Sequence, residues 1–100
     1  MARDVELTLR KMSYPIINGI PTAELERETV VLGYMTSAKR AEFYGAMQAG
    51  YMVDTVFSIF SFDYDNEQEI RYDGSLYDVK RSYLTKNDQI ELVCARRDAK

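Results

Sequence analysis

Four carboxylates at alternate positions, Asp63, Asp65, Glu67 and Glu69, are the residues whose type and spacing come nearest to chemistry. Oxygen ligands at every other position open a calcium loop, because alternate side chains can turn toward one ion. Such a loop also needs glycine at its sixth position and glutamate at its twelfth, where this chain has Gln68 and Gly74. The run is therefore expected to be a solvated turn. The chain has no histidine, which removes the usual general base and the commonest transition-metal ligand. A single cysteine, Cys94, allows neither a zinc cluster nor an internal disulfide, and beside Ile90 and Leu92 it is expected to be an inert core thiol. Gly45 and Gly50 belong to no glycine string that cradles phosphate. Arg81 faces inward by strand alternation, where it would run past Tyr77 and Tyr83 or pair with a carboxylate. No catalytic, cofactor-binding or metal-ligating residue is assigned, and the chain is expected not to be an enzyme.

The elements that hold these residues are mostly strands. Val5, Leu7 and Leu9 alternate with polar residues, the period of a strand with one wet face. Glu28 to Met35 reads as a second strand, apolar on both faces over part of its length. Val53 to Phe62 places Val53, Phe57 and Ile59 on one face and Val56, Phe60 and Phe62 on the other, so a strand buried on both sides or covered by a helix is expected. Gln68 to Asp73 puts Ile70 and Tyr72 inward, Asp73-Gly74 signals a hairpin, and Leu76 to Leu84 returns with Tyr77 and Val79 on the inward side. A two-residue turn would set Glu69 opposite Asp78, whereas a four-residue turn pairs Arg71 with Asp78 and Glu69 with Lys80; both keep the apolar face. Ile90, Leu92 and Cys94 line the inside of a last strand.

One stretch departs from this pattern. Thr36 to Gly50 is rich in helix formers, with Ser37 or Thr36 as N-cap and Gly50 as the stop, which predicts a helix over about residues 38–49. Phe43, Tyr44 and Met47 form an apolar stripe expected to lie on the sheet. The fold class that follows is mainly β: one domain over 1–100, a small antiparallel barrel or curled sandwich of about six strands. The helix is inserted between strands 2 and 3, and a long loop follows strand 1.

That loop, Lys11 to about Leu25, is marked by Tyr14-Pro15, Asn18-Gly19 and Ile20-Pro21, which exclude a helix. Its oddity is apolarity, in Tyr14, Ile16, Ile17 and Ile20. Either it folds back over one end of the barrel, or it is a contact loop buried only in an assembly.

A net charge of -3 argues against strong sequence-independent DNA binding, which needs clustered Lys and Arg. The N-terminal segment lacks a signal-peptide core and no apolar run suits a membrane span, so a cytosolic origin and no membrane partner are expected. Eight tyrosines and four phenylalanines suit half-buried sheet surfaces and contact surfaces. Two function classes remain: an assembly protein meeting copies of itself, and a small-barrel single-stranded nucleic-acid binder in which tyrosines stack on bases. For the second, Lys80 and Arg81 beside Tyr77 and Tyr83, with Arg96-Arg97, offer only a thin basic groove.

The string from Ser37 through AEFYGAMQAG, then Phe57, Asp63-Tyr64, Glu69, YDGSLYDVKRSY and IEL, resembles the head-closure (head-tail adaptor or stopper) family of tailed bacteriophages. The matching positions are Ser37, Glu42, Phe43, Tyr44, Ala46, Gly50, Phe57, Tyr64, Tyr72, Gly74, Tyr77, Val79, Arg81, Tyr83 and Glu91-Leu92. Val53 stands where that family is expected to have proline, and Met12 to Glu26 matches nothing in the pattern. The resemblance implies a small β-barrel without cofactor, made in the bacterial host cytoplasm and joined to the virion at the head-tail interface. It would form a ring of copies below the portal and its adaptor, close the head after DNA packaging and offer a surface to the tail-end protein. Genomic DNA would pass the lumen without sequence-specific binding. Adaptor or tail-completion proteins of the same machine are neighbouring possibilities. On this reading Tyr14, Ile16, Ile17 and Ile20 are the gating or contact loop, and Lys39, Arg40 and Glu42 on the helix are a contact between subunits.

Overall fold

The structure, a computed structural model, describes residues 5–37, 40–50 and 53–97. Six strands close into an antiparallel barrel in the order β1-β4-β5-β8-β7-β6: β1 (Val5–Ser13), β4 (Glu24–Ser37), β5 (Thr55–Phe60), β6 (Glu69–Tyr72), β7 (Ser75–Leu84) and β8 (Gln89–Arg96). The helix α1 (Arg40–Gln48) lies between β4 and β5, the second and third barrel strands in sequence, as its composition predicts. Gly50 follows it with φ 93°, its N–H donating to the Met47 carbonyl at 3.1 Å, a stop that glycine's freedom at positive φ permits.

The core follows the alternation. Leu7, Leu9, Phe57, Ile59, Ile70, Leu92 and Cys94 are completely buried inside the barrel, with Val31, Tyr77 and Ile90 nearly so. Phe57 meets Tyr77 edge-on at 5.1 Å and Tyr72 at 5.8 Å, geometry that suits the ring quadrupoles. Beside the core, β4 leaves β1 and turns onto β5: Gly33 is the last residue paired with β1, and Tyr34 the first paired with β5. A Cβ on Gly33 would stand 2.4 Å from the Ser58 carbonyl oxygen, so only glycine fits this corner.

The helix covers the outside of the wall and not the core. Val56 and Val93 are cross-strand partners on the outer face of β5 and β8, and they are buried with Ala46 and Val53, Tyr83 packing at the edge. The expected stripe is thus corrected: Tyr44 and Met47 are about half exposed, and the side that meets the barrel carries Ala46. A small residue lets this short helix approach closely, whereas Tyr44 and Met47 are left half exposed. The side chain of Phe43 lies outside the described residues, as does the N-cap region after Ser37, which itself ends β4.

The largest correction concerns the long loop. β1 runs on to Ser13 and β4 begins at Glu24, still paired after a one-residue shift between Lys11 and Met12, and the two continue as a ribbon of β2 (Ile16–Ile17) and β3 (Ile20–Pro21). Asn18 and Gly19 turn the tip with φ 53° and 79°, the left-handed pair of a two-residue hairpin turn. Thr22 closes the neck, its N–H donating to the Pro15 carbonyl at 2.9 Å. The stretch is a β-arm projecting from the barrel, and it contributes to a long axis of 47 Å against 31 and 24 Å.

Candidate functional site

Antiparallel order sorts the connections between two ends. One end carries the arm, the short 3₁₀ turn Ser61–Asp63 after β5, the loop before β6 and the β7–β8 turn. The other carries α1, the Asp73-Gly74 turn and Arg97.

At the arm, all four residues of the predicted contact loop are exposed: Tyr14 by 54%, Ile16 by 65%, Ile17 by 43% and Ile20 by 64%. The expectation that the loop folds back over the barrel is overturned, since a hairpin in register with β1 and β4 is directed along those strands and away from the core. Down the same hairpin, Val30 and Leu32 stand on the outer face of β4, 61% and 54% exposed. At the end of β5, Phe60 stacks on Phe62 with centroids 5.0 Å apart. Phe62 is 74% exposed, so the covered outer face expected for this segment holds for Val56 alone. The chain leaves the strand there through the 3₁₀ turn, where the Ser61 N–H donates to the Asp88 carbonyl at 2.7 Å. Between these segments lies an open groove of about 430 Å³, floored by Val30, Val31, Leu32 and Phe60 with Glu6 and Asp63 at its rim.

The acidic run is not a solvated turn throughout. Glu67 is 1% exposed and Glu69 7%. Glu67 accepts from the Asp65 N–H at 2.6 Å and from Arg27 at 3.5 Å, while the Tyr64 hydroxyl donates to the Glu67 carbonyl at 2.8 Å. Burial, aided by the Glu67 charge, pushes the Tyr64 phenol up to about 12. Asp65 is exposed and pairs with Arg27 at 2.8 Å, a hydrogen bond that holds its carboxyl below the usual range, with Lys11 adding to the effect. Gln68 exchanges two hydrogen bonds with the Met12 backbone opposite a bulge at Glu26 of β4, taking the place of a strand residue. The run ties one loop to the base of the arm. Among the described residues no group of three or more carboxylates or cysteines is arranged to hold a metal.

Glu69 belongs to a second arrangement. The β6–β7 turn is the two-residue one, Asp73 and Gly74 having φ 51° and 80°, and Glu69 does stand opposite Asp78. The two like charges are reconciled by Arg97, which follows β8 and donates to Glu69 at 2.8 Å and also to Asp78. Across the rung, Arg10 pairs with Glu69 at 3.2 Å and with Glu28 at 2.7 Å, and Arg71 adds a contact to Glu28 at 3.1 Å. Sequence spacing could not reveal this compensation, because Arg97 lies 28 residues from Glu69.

Arg81 does not face inward. A bulge between Val79 and Arg81 shifts the register, so that Arg81 pairs with the outward Val93 and lies 5.1 Å over the Tyr83 ring. Of the other residues that carry the resemblance, Tyr77 and Leu92 lie in the core, Val79 and Tyr64 pack against it, and Glu91 is half-buried on the outer face of β8. Cys94 is buried and its Sγ contacts the Leu92 carbonyl at 3.4 Å; desolvation pushes its thiol well above the ordinary range. Of the predicted helix contact, Lys39 lies outside the described residues, as do the side chains of Arg40 and Glu42.

Comparison with protein-family models gives no match, and comparison with curated proteins gives no significant one.

Proposed function

We propose that this chain is a structural protein of the head-tail interface of a tailed bacteriophage. It forms a ring below the portal and adaptor that closes the packaged head and presents a docking surface to the tail. The observation that carries this reading is the arm, which exposes Tyr14, Ile16, Ile17 and Ile20 to water. Exposed apolar surface concentrated on a projecting hairpin is what an assembly protein hides only when its partners arrive. The sequence pattern from Ser37 to Leu92 supports the head-closure class in particular, and the net charge of -3 suits a channel wall that lets DNA slide. The role is non-enzymatic, and its work is contact and closure.

The experiment is electron microscopy of particles from a phage stock with this gene disabled, with packaged DNA assayed beside it. Tailless heads that package DNA and then lose it, together with normal free tails, are expected. Heads that keep their DNA but fail to join tails would move the protein to the adaptor or tail-completion level. Intact tailed particles would remove the reading and favour the single-stranded nucleic-acid binder, for which the contact of Arg81 over Tyr83 on the outer wall speaks.

A further inference from the structure

We infer that the apolar groove on the outer wall of β4 is the seat for the arm of a neighbouring copy, so that copies join head to tail, arm into groove. This deepens the assembly reading above but rests only on its self-association.

The groove is the place where the barrel wall is left incomplete. From Glu24 to Gly33, β4 pairs with β1 alone among the described residues, and only from Tyr34 onward does β5 take its other side. An edge of this kind offers backbone donors and acceptors to another chain and is ordinarily blunted by charge or covered. Here charge is confined to the half nearer the arm, at Glu24, Glu26, Arg27 and Glu28, and the half nearer β5 carries Val30 and Leu32 instead.

Three observations select the occupant. The chain's own arm cannot fill the groove: β4 rises about 3.3 Å per residue, which sets Val30 on the order of 30 Å from Ile20 along one continuous hairpin. The arm is also chemically suited to it. From Tyr14 to Ala23 it holds no charged residue, so it can be desolvated without burying a charge. The rim of the groove is Glu6 and Asp63, which would repel a phosphate backbone or an acidic segment but not a neutral one. Finally, the surfaces match in size. At roughly 200 Å² for a large side chain, Tyr14, Ile16, Ile17 and Ile20 expose about 450 Å², and Val30, Leu32, Phe60 and Phe62 expose about the same. Mated, they would remove roughly 900 Å² before any backbone is counted, close to the ~1,000 Å² that a specific interface clears.

Arm and groove are different surfaces, so the contact is heterologous. Each copy gives an arm to one neighbour and receives one from the other, which closes a ring if the rotation allows and otherwise extends a filament.

The test is mixed cross-linking of the purified full chain at millimolar concentration. Ile17→Cys and Leu32→Cys are made separately, both at exposed positions, with the buried Cys94 left in place and thermal melts confirming that each variant folds. Under mild oxidation, disulfide-linked dimers are expected when the two variants are mixed and not with either alone. Adding Ile20→Asp to the arm variant is expected to lower their yield at least tenfold. Dimers from Ile17→Cys alone would mean that arms meet arms. Dimers from Leu32→Cys alone would mean that walls meet walls, and absence of dimers in the mixture would mean that another protein fills the groove. Each of these overturns the inference. Because the experiment needs no phage, its failure with head closure intact in particles would leave the proposed function standing, and the converse result would leave the inference standing.

Discussion

Glu28 and Val30 stand two residues apart on the same outward face of β4, yet they belong to opposite kinds of surface. Glu28 opens a rung in which Arg10, Glu69, Asp78, Arg71 and Arg97 answer one another's charges. Val30 opens a wall of exposed apolar side chains that leads to Leu32 and the phenylalanine pair at the end of β5. The first region completes its interactions inside the chain, and among the described residues no buried side-chain polar atom lacks a partner. The second, with the arm, leaves its apolar side chains exposed. A residue of the rung is therefore a stability residue, and on the proposed reading one of the wall or arm is a contact residue.

That division predicts a descending series. Phe57→Ala removes the ring on which Tyr72 and Tyr77 pack and from which the whole barrel is built, so chemical denaturation should show a loss of about 3–5 kcal/mol. Arg97→Ala leaves Glu69 opposite Asp78 with only Arg10 to compensate. Because the arginine is 42% exposed, the cost should be near 1 kcal/mol and should shrink in high salt. A larger loss that persisted in salt would make the rung a buried network.

Asp65→Asn tests the tie at the base of the arm through its pH dependence. The folded carboxyl is held below its ordinary value, so its contribution is present above the unfolded pKa of ~3.9 and is lost as pH falls through the folded one. The variant should be less stable than the parent at neutral pH, and their acid denaturation curves should converge at the lowest pH. A constant gap between the curves would mean that Arg27 does not recognise the charge. The smallest effect on folding belongs to the arm. Ile16→Ser combined with Ile20→Ser should change unfolding free energy by no more than about 0.5 kcal/mol, as for surface positions generally, while sedimentation shows self-association weakened. A substantial loss of stability would erase the distinction between the two regions.

Much of the barrel is legible in the sequence because alternation is a local signal. Leu7, Leu9, Phe57, Ile59, Ile70, Tyr77, Ile90, Leu92 and Cys94 are all assigned to strand faces by period alone, and all are buried. Gly50 stops the helix for reasons carried by one residue. The candidate surface is only half legible. The apolarity of Tyr14 to Ile20 marks it, but Asn18-Gly19 can be taken for a loop signal unless the flanking residues are seen to pair. Bulges are harder still: one in β7 turns Arg81 from the inside to the outside, and nothing in the spacing announces it.

The sequence by itself determined most of the apolar side chains inside the barrel, where the helix lies and that the chain folds as a small antiparallel β-domain, since each of these depends on residues within a few positions of one another. Tertiary structure alone decided that Ala46 and not Tyr44 meets the barrel, that Glu67 and Glu69 are buried, and that Arg97 makes a turn with opposed carboxylates tenable. It also decided that β4 passes from β1 to β5 at Gly33 and leaves an open groove behind. These outcomes depend on which distant strands become neighbours when the barrel closes, and closure is a property of the whole chain that no local pattern contains.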